Sequence, residues 1–332
     1  MSIITVDRLR RTYTLTEGHW RRRRRTIEAL NGISFEVPAG ELFGLVGPNG
    51  AGKTTTVRIL STLLHPSGGS ARVLGLDVAT QAQELRRRIG ILFGGERGLY
   101  GRVSGRHNLR YFANLYGMSR PHATRRIAEL LERVGLASRA DDRVDTYSRG
   151  MKQRLHIARA LLHEPEVVFL DEPTIGLDPL GAREIRDLVR QLRASGQTIL
   201  LTTHYMPEAD ELCDRLAVIA AGGLLAVASP QELRAQVPDM YVVEVTLREH
   251  RSDVVAELRR LCGPDGSLSI EERDGHHVAS IQSMRWRDLV ESIPATLGWD
   301  AIGPLMVREP SLEDVYLRLI SGASAPLQAV SG

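Results

Sequence analysis

The sequence predicts an α/β fold with a mixed sheet core, followed by a small α+β domain, and three apolar runs carry most of that prediction. Leu42-Phe43-Gly44-Leu45-Val46 runs directly into Gly47-Pro48-Asn49-Gly50-Ala51-Gly52-Lys53-Thr54-Thr55. Val167-Val168-Phe169-Leu170 ends in Asp171-Glu172-Pro173, and Thr198-Ile199-Leu200-Leu201-Thr202-Thr203 ends in His204. Short unbroken apolar runs are the mark of strands buried on both faces, as in a parallel sheet. Such sheets bind ligands beyond the C-terminal ends of their strands, so the glycine-rich segment, the two carboxylates and the histidine are expected at one edge.

Composition bounds the rest. A chain of 332 residues is long enough for two domains, and 42% hydrophobic with 25% charged residues describes a chain that buries a core rather than a disordered tail. The net charge of +3 makes no whole-chain case for nucleic acid, and none is expected as a partner. The apolar stretch 216–228 is interrupted by Gly222-Gly223 and falls short of the roughly 20 residues a bilayer span requires. No basic segment followed by an apolar stretch of signal-peptide length opens the chain, and Cys213 and Cys262 lack partners at metal-ligand spacing. These features predict a cytosolic, disulfide-free protein.

In chain order, the first strand and its glycine loop are followed by Val57, Ile59, Leu60, Leu63 and Leu64 at helical spacing. Strand, loop and helix fit G-x-x-x-x-G-K-[ST]. The loop amides and helix N-terminus would surround a phosphate, with Lys53 on the β/γ-phosphates and Thr54 on Mg²⁺. Lys53 and Lys152 are the only lysines among 43 basic residues, so a compact ammonium at this position stands out. Two carboxylates at the end of the second strand are costly to bury without a cation. Asp171 is therefore expected to hold Mg²⁺ through water, and Glu172 to orient and polarise an attacking water. The third strand delivers His204 near the γ-phosphate.

With these residues the chain resembles the nucleotide-binding subunit of ABC transporters over residues 3 to 230. The decisive element is Tyr147-Ser148-Arg149-Gly150-Met151-Lys152-Gln153-Arg154, which resembles the family's signature motif, with Arg149 and Met151 as departures of the kind common in ABC-2 type bacterial exporters. Met151, Leu155, Ala158 and Leu162 mark one apolar face of the helix it opens. The resemblance implies an ATP-hydrolysing subunit using ATP and Mg²⁺. Its homodimer would hold ATP between the Gly47–Thr55 loop of one chain and Ser148, Arg149, Gly150 and Met151 of the other. It implies Asp178 as the D-loop residue and Tyr13 as the adenine stack, with Trp20 a rival. Gly95 stands where the family places a glutamine; either neighbouring Glu96 substitutes through a water, or the site depends on Glu172 and His204 alone. A separately encoded ABC-2 type membrane permease is the implied partner. The resemblance also places the chain at the cytoplasmic face of the cell membrane and makes export of a drug, antibiotic or lipid-like molecule the expected task. A soluble ABC ATPase acting on ribosomes or DNA is the alternative, disfavoured by the single uninterrupted cassette.

The implied division is a nucleotide-binding domain over 1–237, its helical signature subdomain at about 95–160, an accessory domain over 238–322 and a tail, 323–332. Phe93, Tyr100, Tyr111, Phe112 and Tyr116 crowd the region where the resembled family receives its permease. Arg21 to Arg25 are expected in a loop between the first two strands, where contact with anionic headgroups would bring about 1 kcal/mol per charge. Beyond Pro238, Tyr241, Val243, Val245 and Leu247 alternate as a strand. Ser252 can cap a helix, Asp274-Gly275 marks a hairpin, and Ser311-Leu312-Glu313-Asp314 opens a last helix by the capping-box pattern. The run from Glu309 to Tyr316 resembles the C-terminal domain of drug-exporting ABC ATPases. His276-His277 are adjacent on a strand and point to opposite faces, which excludes joint chelation.

Overall fold

The computed structural model describes residues 2–17, 23–94, 98–236, 240–249, 251–263, 266–273 and 275–324. The chain divides into two compact units, Met1–Pro230 and Gln231–Gly332. The break falls before the expected 237/238 boundary, at a helix that starts at Pro230 and carries a fully buried Leu233.

The first unit contains β1 (Ser2–Glu17), β2 (Arg23–Pro38), β3 (Leu42–Val46), α1 (Lys53–Leu60), β4 (Gly68–Val73), β5 (Leu76–Asp77), α2 (Ala82–Leu85) and β6 (Ile89–Leu92). It continues through α3 (Gly105–Leu115), α4 (Arg120–Arg133), α5 (Arg149–Ala160), β7 (Val167–Asp171), α6 (Pro179–Ala194), β8 (Thr198–Thr203), α7 (Met206–Leu212), β9 (Arg215–Ala220) and β10 (Gly223–Ala228). One sheet has the order β10-β9-β3-β8-β7-β6 and is parallel except for its β9–β10 hairpin; β2-β1-β4-β5 form an antiparallel second sheet. Every residue of β3, β7 and β8 is buried, which is why these strands read as continuous apolar runs. Phe35 and Phe43 stack with ring centroids 5.3 Å apart, joining the two sheets through their shared core.

Register fixes the site. Val46 of β3 lies opposite Thr203 of β8, and Asp171 of β7 lies opposite Thr202. Gly47, Glu172 and His204 therefore all leave the sheet at one edge within a residue of each other.

The arginine run corrects one expectation. Arg23–Arg25 are not loop residues: they belong to β2 and pair with Glu17, Thr16 and Leu15, because the antiparallel ladder continues well past the part of β1 that also pairs with β4. A basic side chain can leave a two-stranded ribbon toward solvent without disturbing its backbone pairing. Trp20, Arg21 and Arg22 lie outside the described residues.

The second unit begins with α8 (Pro230–Ala235), then runs β11 (Tyr241–Leu247), α9 (Ser252–Cys262), β12 (Ser267–Arg273), β13 (His276–Ser283), α10 (Trp286–Leu297), β14 (Ile302–Arg308) and α11 (Leu312–Ser324). Its β-α-β-β-α-β core forms an antiparallel sheet in the order β12-β13-β11-β14, the split βαβ arrangement. Val243, Val245, Leu247, Ala279 and Ile281 pack with Leu258, Leu289 and Ile293 of α9 and α10. A polar network holds α11. Ser311 and Asp314 form the capping box, the Ser311 amide donating to Asp314 Oδ2 at 2.7 Å and the Asp314 amide to Ser311 Oγ at 3.2 Å. Arg308 bridges Asp314 at 2.6 Å and Glu244 at 3.0 Å.

Burial pushes the Asp314 carboxyl up, but Arg308 and Ser311 outweigh it and hold it below its ordinary 3.8. A depressed carboxylate contributes stability that is fully present above its ordinary value and is lost as pH falls through the depressed one. Asp314→Asn is expected to destabilise the second unit by about 1–3 kcal/mol at neutral pH by removing one of the two carboxylates paired with Arg308, Glu244 being left. Urea unfolding of the full chain followed at Trp286 and Trp299 checks this, and the deficit should shrink as wild type and variant are compared in acid.

Candidate functional site

The loop after β3 has a shape only glycine allows at two positions. A Cβ at Gly47 would sit 2.1 Å from the Ile219 carbonyl oxygen, and one at Gly52, where φ is +110°, would sit 2.6 Å from the Ala29 carbonyl oxygen. The Ala51 amide donates to the Pro48 carbonyl at 3.2 Å and closes the turn. Helix α1 then starts at Lys53, so its first-turn amides, which have no partner within the helix, open on a cavity of 140 Å³ lined by Ala29, residues 49–55 and Glu172. Unpaired amides, a helix N-terminus and a lysine around one small cavity make a phosphate cradle.

Lys53 is only 4% exposed. Its Nζ donates to the Gly47 carbonyl at 2.7 Å and the Pro48 carbonyl at 3.1 Å, and lies 3.6 Å from Glu172 Oε1. Burial lowers the pKa of this ammonium, against the opposing charges of Glu172 and Asp171. Asp171 is buried too: its Oδ1 accepts from Thr202 Oγ1 at 2.5 Å and Thr54 Oγ1 at 3.1 Å. Burial pushes its carboxyl up, and those two hydroxyls oppose the shift. The close pairing of Thr54 and Asp171 oxygens supplies the hard oxygen donors that suit Mg²⁺.

Glu172 occupies the left-handed region at φ +48°, a strained conformation for a glutamate. Its amide donates to both the carbonyl and the hydroxyl oxygen of Thr202, at 3.0 and 3.1 Å, which pins the peptide in place. The carboxylate then stands between Lys53 and His204, whose Nδ1 is 3.1 Å from Oε2.

Structure thus brings together Gly47 to Thr55, Asp171, Glu172 and His204. Ser148, Arg149, Gly150 and Met151 do not line the phosphate cavity of their own chain. Ser148 caps α5 by accepting from the Met151 amide at 3.2 Å, and Arg149 is exposed. Asp178 caps α6 by accepting from the Gly181 amide at 3.3 Å. Tyr13 is half-buried with the Arg11 guanidinium 4.8 Å above its ring. Gly95 and Glu96 lie outside the described residues. Three further residues shape the arrangement. Thr202 donates to the Asp171 carboxylate and accepts from the Glu172 amide; Gln153 of α5 donates to the Pro173 carbonyl at 2.6 Å; Glu208 of α7 is buried. A fully buried threonine beside the carboxylates could have been suspected from Thr202-Thr203 ending an otherwise apolar run; Gln153 stands within the Tyr147–Arg154 motif without a role of its own there, and Glu208 carries no local signal.

The family model for ABC transporters matches residues 30–175. The linearmycin resistance ATP-binding protein of Bacillus subtilis is 35% identical over 87% of this chain and 93% of its own length. A daunorubicin resistance ATP-binding protein of Streptomyces coeruleorubidus is 42% identical over 88% of this chain and 90% of its own. Among solved structures, cbiO1 of Clostridium perfringens, part of an ABC transporter complex, superposes with a TM-score of 0.62 at 30% identity, covering 71% of this chain and 91% of that one. With a phosphate cradle, paired carboxylates and a histidine converging at one sheet edge, and relatives matched nearly end to end, the chain belongs to the ABC transporter family as an ATP-binding and ATP-hydrolysing subunit.

Proposed function

We propose that this subunit works at the cytoplasmic face of a membrane, powering an ABC-2 type permease that exports a drug or antibiotic. The single observation that carries the chemistry is Glu172 held between Lys53 and His204 at the mouth of the phosphate cradle. In this reading Lys53 and the first-turn amides of α1 take the phosphates of ATP, and Thr54 with Asp171 would hold Mg²⁺, which when bound would neutralise charge developing on the phosphates. Glu172 accepts a hydrogen bond from the attacking water and polarises it, and His204 keeps the carboxylate aimed. Because Ser148 and Gly150 stand away from the cradle of their own chain, they are assigned to ATP held by a second copy, two nucleotides closing the dimer and hydrolysis opening it.

Among the described residues no helix is long and apolar enough to cross a membrane, which fits a task that needs a membrane partner. The exposed aromatics Tyr100, Tyr111 and Tyr116 around α3 supply a surface for it. Drug export rests on the names of the relatives. In the native cells, tagged chain isolated from detergent-solubilised membranes is expected to bring down a multi-span protein in equal amount. Recovery of ribosomes or DNA instead would transfer the chain to the alternative class.

A further inference from the structure

The β9–β10 hairpin carries none of the reacting groups, yet the phosphate loop stands on it. Its connection is two residues long, Ala221 and Gly222, between the paired residues Ala220 and Gly223. Both turn residues have positive φ, +47° and +76°, as a type I′ hairpin turn requires. The backbone of Gly222 is bonded on both sides. Its amide donates to the carbonyl of Ala51, in the phosphate loop, at 3.2 Å, and its own carbonyl accepts from the Asn31 amide of β2 at 2.8 Å. The packing is as close as the bonding. The Ala29 carbonyl oxygen of β2, which leaves no room for a Cβ at Gly52, would also lie 3.1 Å from a Cβ at Gly222. Ala29 in turn lines the cavity that faces residues 49–55. One glycine of the turn therefore sets how far the phosphate loop stands from β2, and with it the width of the cradle.

We infer that Gly222 is a positioning residue for ATP: its two backbone hydrogen bonds clamp the phosphate loop against β2 and hold the cradle at the width the phosphates need. The inference rests on the reading that ATP places its phosphates in this cavity. Since both bonds are made by backbone, the property that matters is the absence of a Cβ. Alanine at this position meets the strain of φ +76° and the 3.1 Å contact with Ala29 together, so the turn or β2 must shift and the Ala51 carbonyl loses its donor. The groups of the chemical step are spared. In the sheet order β10-β9-β3-β8-β7-β6, the strands that carry Asp171, Glu172 and His204 lie on the other side of β3 from the hairpin. Binding and chemistry are thereby separable.

Gly222→Ala is expected to raise both Kd and KM for ATP about tenfold, the scale of one lost hydrogen bond, with kcat at saturating ATP within about threefold of wild type. Gly196→Ala is its companion. Gly196, between α6 and β8, has φ +84°, and no described residue comes within 4 Å of a Cβ placed there, so alanine brings similar backbone strain far from the loop. That variant is expected to lose stability in urea and keep wild-type ATP affinity. Unchanged affinity in Gly222→Ala overturns the inference, as does a fall in kcat at unchanged KM, or an equal loss of affinity in Gly196→Ala. Hydrogen exchange on the wild-type chain reads the same clamp without a substitution: the Gly222 and Asn31 amides are expected to exchange about tenfold more slowly with ATP bound. Rates untouched by ATP overturn the inference even where the alanine variant fails to fold. Lys53→Ala is measured alongside: if it binds ATP within about threefold of wild type, it is the reading of the cavity that has failed.

Discussion

Glu172→Gln is expected to lower ATP turnover by about 10²–10⁴-fold, the range associated with loss of a positioned proton acceptor, while ATP binding persists. The side chains have the same shape, so the amide can still reach His204 Nδ1, now 3.1 Å from Oε2, and the backbone remains pinned by Thr202. What is lost is the negative charge that polarises water. The ion pair with Lys53 at 3.6 Å goes with it, which frees the ammonium for phosphate and should leave nucleotide affinity equal or improved. Single-turnover hydrolysis and equilibrium binding of a fluorescent ATP analogue, measured on one preparation, separate the two effects. Near-normal turnover would remove Glu172 from the reaction.

Lys53→Ala is expected to do the opposite, weakening ATP binding itself. Nζ is the only cationic group among residues lining the cradle, and its present partners are two backbone carbonyls and one carboxylate. Truncation leaves Glu172 with no positive neighbour in the cavity, so the site turns from cation-lined to anion-lined just where phosphates must enter. Losing one partner of a buried charge pair costs about 2–5 kcal/mol, or about 30- to 4,000-fold in affinity. Titration calorimetry with ATP reads this directly, and affinity within a factor of about three would place the phosphates elsewhere.

Much of this site was legible in the sequence because it lies at the ends of strands buried on both faces. Such strands have no polar side to confuse their pattern, so Val46, Asp171 and Thr203 mark where chemistry begins, and the register of Val46 with Thr203 and Asp171 with Thr202 follows from one shared sheet. The second unit was legible for a different reason: one face of each strand packs on helices, giving the alternation seen in Tyr241 to Leu247. Three things depended on tertiary structure. Arg23–Arg25 carry charge, which ordinarily signals a loop, but ribbon pairing is made by backbone and tolerates them. Pro238 was a plausible break, yet the compact units divide at Pro230, where a helix with a buried Leu233 begins. Gln153 reaches the Pro173 carbonyl across 20 positions of chain, and no spacing rule connects a glutamine in one helix to a carbonyl after a distant strand.

The left-handed backbone of Glu172 also has an evolutionary side. At φ +48° a glycine would be relaxed while glutamate and most other residues are strained, so glycine is the substitution the backbone favours here. A lineage that stopped needing hydrolysis would gain backbone relaxation from that glycine but would leave the buried Lys53 ammonium without the carboxylate 3.6 Å from it. The position thus sets backbone relaxation against the pairing of a buried charge, so loss of hydrolysis alone does not make the glutamate costless to replace.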